Sequence, residues 1–231
     1  MIDIHSHVIF DIDDGSKDLE ESLKMMSDAE KAGVKTIIAT PHFREHVLSP
    51  DKTFENLQIL KEKSRDLGVD IRIGFEIILH PMLLQGEDII EKHTIEGTRF
   101  ILIEFPFTGF FNQSFTLLTK LQFRKLKPII AHPERIEAFY KNRDIIVDLK
   151  GKGCLLQVNA GSIVGYYGER ARTFAKYIIK SRMADFVASD AHKPQYYLPM
   201  YKSAFSKVIK WTDNEYAEKL FTKNGEAIFE V

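Results

Sequence analysis

The chain opens Met1-Ile2-Asp3-Ile4-His5-Ser6-His7, a short apolar-rich strand in which His5 and His7 must face the same way. Two imidazoles on one face, with the carboxylates of Asp11-Ile12-Asp13-Asp14-Gly15 arriving in the next loop, make half of a metal cage. Matching side chains recur at the ends of later apolar runs: His42 after 35–40, Glu76 in 74–77, Glu104 in 101–105, His132 after 128–131, and Asp190-Ala191-His192 after 186–189. One polar residue at a strand end is ordinary, but six strand ends carrying the same class of side chain are not explained by solvation. Imidazole and carboxylate without thiolate suit Mn²⁺, Fe or Zn²⁺, and the carboxylates shift the balance towards harder ions. Because carboxylates bridge cations, such a cage can hold several metals about 3.5–4 Å apart, generate a metal-bound hydroxide near neutral pH and clamp phosphoryl oxygens.

The elements that position these residues alternate. Asp18-x-x-Glu21 is a capping box, and Leu19, Leu23, Met26 and Ala29 recur at helical spacing until Gly33. Ser49-Pro50 starts a second helix with an apolar stripe of Phe54, Leu57 and Leu60, ended by Gly68. Further helices are expected over 113–127, 143–151, 168–182 and 198–210, and a strand over 155–159 precedes a glycine-rich segment, 161–168. Repeats, linkers and low-complexity stretches are absent from the sequence. Strand–helix alternation predicts a parallel α/β sheet. In a parallel barrel, the C-terminal strand ends are where active sites are built.

The set His5-x-His7, Asp14, His42, Glu76, Glu104, His132 and Asp190-x-His192 resembles that of the PHP (polymerase and histidinol phosphatase) superfamily. Within it, the stretches 1–7, 10–15, 131–135 and 188–192 are most similar to the bacterial manganese-dependent protein-tyrosine phosphatases of capsule and exopolysaccharide operons. The likeness runs collinearly from residue 1 to about 192. It implies a distorted (β/α)7 barrel and a trinuclear cluster of Mn²⁺, with Fe, Zn²⁺ or Mg²⁺ as alternatives. By the same resemblance, His5, His7, Glu76 and Asp190 take one metal, Glu76, Glu104 and His132 a second, and Asp14, His42 and His192 a third.

Phosphate also needs cations beside the cluster. Arg135, three residues after His132, and Arg44, two after His42, are the candidates, because a guanidinium fork matches phosphate oxygens. A surface ion pair with Glu134 or Glu45 is the alternative for each. The phenylalanines of loop 105–111 and Phe115 read as packing or a subunit contact before substrate binding. Asp11-Ile12-Asp13 imitates the nucleophile motif of haloacid-dehalogenase-type phosphatases, but Asp14 stands where that motif needs other residues. Cys154 lacks the Arg six residues on that a thiol phosphatase requires, and reads as buried. His46, His80 and His93 read as solvent-exposed.

With 231 residues, 32 basic against 33 acidic side chains and one cysteine, the chain is expected to be a single domain (1–231), cytoplasmic, without a disulfide framework. Balanced charge argues against nucleic acid as partner, and thus against a nuclease or polymerase-editing role. No apolar run approaches the roughly 20 residues of a membrane span. The resulting expectation is a phosphomonoesterase acting on phosphotyrosine, by resemblance on the tyrosine-rich tail of a bacterial tyrosine kinase. Histidinol-phosphate phosphatase and a non-catalytic metal-binding scaffold for a kinase are the rivals, and a homo-oligomer is compatible with either role. A phenol (pKa about 10) departs with little help whereas an alkoxide needs a good acid, and the sequence offers no dedicated acid.

Overall fold

The computed structural model describes residues 1–43, 50–80, 91–106 and 113–230. Its strands are β1 (Ile2–Ser6), β2 (Thr36–Ala39), β3 (His42–Phe43), β4 (Asp70–Ile73), β5 (Glu76–Ile78), β6 (Phe100–Glu104), β7 (Lys127–Ala131), β8 (Leu155–Asn159) and β9 (Phe186–Ala188). All pairings are parallel, in two sheets ordered β1-β2-β4 and β3-β5-β6-β7-β8-β9. Two strand paths are broken: β2 gives way to β3 at Thr40-Pro41, and β4 to β5 at Gly74-Phe75. Proline has no N–H for a ladder, so a break there is expected. The neighbouring paths stay in register across it, Gly74 N–H donating to Ala39 O and Glu76 N–H to Pro41 O. Among the described residues, nine strand segments therefore fill seven positions, and the ring closes where Ser6 bridges Ala191 and Asp190 N–H donates to His5 O. The expected distorted seven-stranded barrel is the observed architecture.

Buried Ile4, Ile38, Leu102, Ile129 and Ala188, drawn from five strands, meet as a plug inside the barrel. Ile228 joins it, and Ile2 packs so tightly on Gly225 that a Cβ there would lie 2.9 Å away. The C-terminal segment thus stops the barrel end where β1 begins, and the other end is left for chemistry.

The outer helices are α1 (Leu19–Lys31), α2 (Pro50–Lys63), α3 (Ser114–Phe123), α4 (Glu137–Lys141), α5 (Asp144–Gly151), α6 (Ala160–Val164), α7 (Gly168–Lys180), α8 (Lys202–Trp211), α9 (Asn214–Glu218) and α10 (Asn224–Ala227). Asp18 caps α1 by accepting from Glu21 N–H at 2.9 Å, and Glu21 reaches back to Lys17 N–H, one residue earlier than a standard capping box. The expected stripe of α2 is only partly right. Leu57 and Leu60 are buried, but Phe54 is 46% exposed. The buried face is turned by one position to Thr53, Asn56 and Leu60, because Asn56 donates its amide to Phe10 O at 2.8 Å. The helix expected over 113–127 stops at Phe123, since Lys125 takes a left-handed φ of 64° and Lys127 already belongs to β7. The helix expected from 198 begins as a π-helical turn, Tyr197–Tyr201, before α8. Among the described residues, no helix is long and apolar enough to cross a membrane.

Candidate metal centre

The C-terminal strand ends converge on one cluster. His5 and Glu104 lie in β1 and β6, His132 follows β7, and Asp190 and His192 follow β9. His42 and Glu76 correct the simple expectation: each opens a short second strand after a break, rather than ending the first. The break displaces the path so that these two residues face each other as register partners of β3 and β5. His132 (φ 32°) and Asp190 (φ 51°) are held in the left-handed region, which costs backbone energy and is typical of functional positions.

Glu76 is the hub. Its Oε1 lies 2.9 Å from His132 Nε2. Its Oε2 lies 3.0 Å from His42 Nδ1, 3.3 Å from His5 Nε2 and 3.4 Å from His7 Nε2, yet accepts no well-formed hydrogen bond. Asp190 Oδ1 is 3.5 Å from both His5 Nε2 and His7 Nε2. Exposed Asp14 faces His42 Nε2 at 3.4 Å and His192 Nε2 at 3.7 Å, and Glu104 Oε1 is 3.9 Å from His132 Nε2. Among the described residues, the donor atoms fall into four overlapping groups: His7, Asp14, His42, His192; His5, His7, Asp190; His5, Glu76, His132; and His42, Glu76, Glu104. In each, the atoms lie within 4.8 Å of one another. A buried carboxylate oxygen surrounded by three imidazole nitrogens without a satisfied hydrogen bond is what a bridging metal ligand requires. The residues present fit metal ions.

A second layer sets the imidazole orientation. His5 Nδ1 pairs with Gln157 Oε1 at 2.9 Å and His7 Nδ1 with Asp13 Oδ2 at 2.7 Å, which leaves both Nε2 atoms turned to the cage. Gln157 donates to Asn159 Oδ1 (2.7 Å), and Asn159 donates to Asp190 Oδ2 (2.6 Å). Asp13 also accepts from Gly15 N–H and His42 N–H. Gly15 must be glycine, because a Cβ would sit 2.3 Å from His7 O. Below them, buried Asp3 accepts from Ser189 N–H and Oγ–H, tying β1 to β9.

Charge balance follows from this packing. Burial opposes a charged His5, but Glu76 and Asp190 outweigh it and push its pKa up to about 9. His7 is likewise raised, with burial overcome mainly by Asp13. Against their own burial, Glu76 and Asp190 are held below the usual carboxylate range, chiefly by His5. Glu104 is raised by burial and by neighbouring Glu76, and His192 is lowered by burial and by the charge of His7.

Arg135 lies beside the cluster: its Nη1 donates to Asp190 Oδ2 at 2.9 Å, and its guanidinium stacks 4.2 Å from the centre of the Tyr167 ring. The alternative pairing with Glu134 does not form, since Glu134 is buried and accepts from Asn159 N–H. Arg44, Glu45 and His46 lie outside the described residues, as does most of loop 105–111. Phe105 is buried against Phe139, in line with packing. Cys154 is buried as expected, and His80 is exposed. His93 is a correction: it is half-buried and packs 4.0 Å from the Phe43 ring and 4.7 Å from that of Phe75. Sequence reasoning missed Asp13, Gln157 and Asn159 as orienting partners. For Asp13 a signal existed, because it stands beside Asp14 in the acidic loop.

The chain also matches known proteins. A family model described as "Capsular polysaccharide synthesis, CpsB/CapC" matches residues 1–230. The tyrosine-protein phosphatase CpsB of Streptococcus agalactiae is 30% identical over 237 residues, covering 99% of this chain and 98% of its own. The tyrosine-protein phosphatase YwqE of Bacillus subtilis is 34% identical over 199 residues, covering 83% and 77%. A crystal structure from work on YwqE and on CpsB of Streptococcus pneumoniae, described as metal-dependent tyrosine phosphatases, superposes with a TM-score of 0.91 at 31% identity. It covers 100% of this chain and 94% of the other. The chain belongs to the CpsB/CapC family of capsular polysaccharide synthesis proteins.

Proposed function

We propose that this protein is a metal-dependent phosphatase that hydrolyses phosphotyrosine in proteins. The observation that carries the reading is Glu76 Oε2, ringed by three imidazole nitrogens within 3.4 Å, with the Arg135 guanidinium at the cluster's edge on Asp190. His5, His7, Glu76 and Asp190 would hold one metal, Glu76, Glu104 and His132 a second, and Asp14, His42 and His192 a third, with Mn²⁺ as the expected ion. When bound, such ions supply a water of lowered pKa and positive charge for phosphoryl oxygens.

The chain's own residues do the rest. Asp13 and Gln157 hold the Nδ1 protons of His7 and His5, so the Nε2 lone pairs stay available to the cage. Asp190 and the Tyr167 ring hold Arg135 flat at the cluster's edge, where a guanidinium fork matches the oxygens of a phosphoryl group. The apolar plug beneath the cage keeps water from the far side. The site needs no strong acid for a phenolate leaving group, which favours aryl over alkyl esters. The substrate is then the tyrosine-rich tail of a bacterial tyrosine kinase, met in the cytoplasm.

Phosphate release by one metal-supplemented preparation from a phosphotyrosyl peptide, beside histidinol phosphate, tests this. Preference for the peptide is expected. Preference for histidinol phosphate would replace the reading with its nearest rival, and turnover of neither would leave a metal-binding scaffold.

A further inference from the structure

The glycine-rich segment after β8 builds an aromatic surface next to the cage. The chain leaves α6 through Gly165 (φ 95°), places Tyr166 and Tyr167 on the turn, and enters α7 through Gly168 (φ 87°). Both glycines occupy backbone that other residues avoid. The turn is held by Tyr166 N–H donating to Gly161 O at 2.8 Å and by Gly168 N–H donating to Gly165 O at 3.1 Å. The Tyr167 ring lies against Gly161 so closely that a Cβ there would meet its Cε2 at 2.7 Å. From Tyr167 the rings continue outward: Tyr166 at 5.1 Å, then Tyr196 at 5.4 Å from Tyr166, then His192 at 6.4 Å from Tyr196. One end of this arc carries Arg135 and the other a candidate metal ligand.

Core packing accounts for Tyr167 but not for Tyr166, which is 54% exposed, nor fully for half-buried Tyr196. We propose that Tyr166 and Tyr196 form a wall that receives the aromatic ring of the phosphotyrosyl substrate and selects aryl over alkyl phosphates. This rests on the phosphotyrosine reading above. A phosphoryl group between Arg135 and the cage carries its aryl ring on a single ester oxygen, which lets the ring turn towards the rim that these tyrosines line. Offset or edge-to-face contact with a tyrosyl ring is the geometry that aromatic pairs prefer. Burial raises the phenols of Tyr167 and of Tyr196, the latter to about 12, so both stay uncharged and do not repel a phosphate dianion.

The test uses phenylphosphonate and methylphosphonate, which share a head group, resist hydrolysis and differ in the ring. Their affinities for metal-loaded wild type, Tyr166→Ala, Tyr166→Phe and Tyr196→Ala are measured by calorimetry, with metal content determined for each. Wild type should prefer the phenyl compound, and either alanine variant should reduce that preference by about 2- to 10-fold, the worth of one aromatic pair. Tyr166→Phe should keep it, because the ring and not the hydroxyl makes the contact. An unchanged preference in both alanine variants at wild-type metal content overturns the wall, as does a wild type that binds the two compounds equally. Binding needs no turnover, so these outcomes stand apart from failure of the phosphatase reading, which shows as no phosphate release from a phosphotyrosyl peptide by the same wild-type preparation.

Discussion

Replacing Arg135 by alanine isolates the phosphate-binding role from the metal cage. In the structure, one guanidinium nitrogen is committed to Asp190 Oδ2 at 2.9 Å and the plane is supported by Tyr167 at 4.2 Å. These two contacts already orient the side chain, so little ordering entropy opposes the use of its donors on a phosphoryl group. If they follow the charge that develops on the transferring group, their loss should lower kcat/KM by about 10²–10³-fold, or ~3–4 kcal/mol, as for other donors to a developing oxyanion. Asp190 keeps its 2.6 Å hydrogen bond from Asn159, so the carboxylate should hold its place and metal content should stay at the wild-type level. Arg135→Lys should recover only part of the rate, since the charge survives and the fork does not. Steady-state kinetics on a phosphotyrosyl peptide, with metal analysis of each variant, gives the answer. Wild-type kcat/KM in Arg135→Ala would rule out a phosphate-binding role for Arg135 and pass that role to Arg44. Loss of metal together with rate would make Arg135 a support for Asp190 instead.

Other consequences follow from the same geometry. Glu76→Gln removes the shared carboxylate, so metal content and phosphatase rate should fall together; full metal occupancy in this variant would show the hub is misassigned. Asp13→Asn frees the His7 ring to turn, and metal affinity should drop about 10–100-fold, as for other partners of ligating imidazoles; unaltered affinity in a competition titration would remove Asp13 from the account. In chelator-stripped protein, His5 titrates at about 9 against 6.5 when unfolded, and His7 is raised too. Their stabilisation is complete below pH 6.5 and lost as pH rises towards 9, so the thermal midpoint should decline across that window. His192 is lowered and acts in the opposite sense, but only below its ordinary value, outside the window. A midpoint that is flat or rising from pH 6.5 to 9 would contradict the charge assignment.

The sequence made legible those features that depend on local pattern. His5-x-His7 was readable because strand alternation sends both rings one way, and their Nε2 atoms do meet at 3.3 Å. Glu104, His132, Asp190 and His192 were readable as polar ends of apolar runs. What escaped depends on contacts across the fold. His42 and Glu76 sit in second strand segments because the paths break at Pro41 and Gly74, and only the barrel decides where the chain resumes. Phe54 is turned outward because Asn56 bonds Phe10 O, 46 residues away in sequence. Gln157 and Asn159 read as ordinary polar residues of a strand until His5 and Asp190 arrive from other strands. His93 reads as a surface histidine, but its ring packs against Phe43 and Phe75.

Phosphotyrosine hydrolysis at this side-chain cluster is proposed to depend on bound metal. The most direct measurement is phosphate release from a phosphotyrosyl peptide by protein stripped with chelator, metal content verified, before and after Mn²⁺ is restored. No turnover is expected in the stripped protein, with recovery in proportion to the metal bound. Undiminished turnover with metal verified as nil would contradict it.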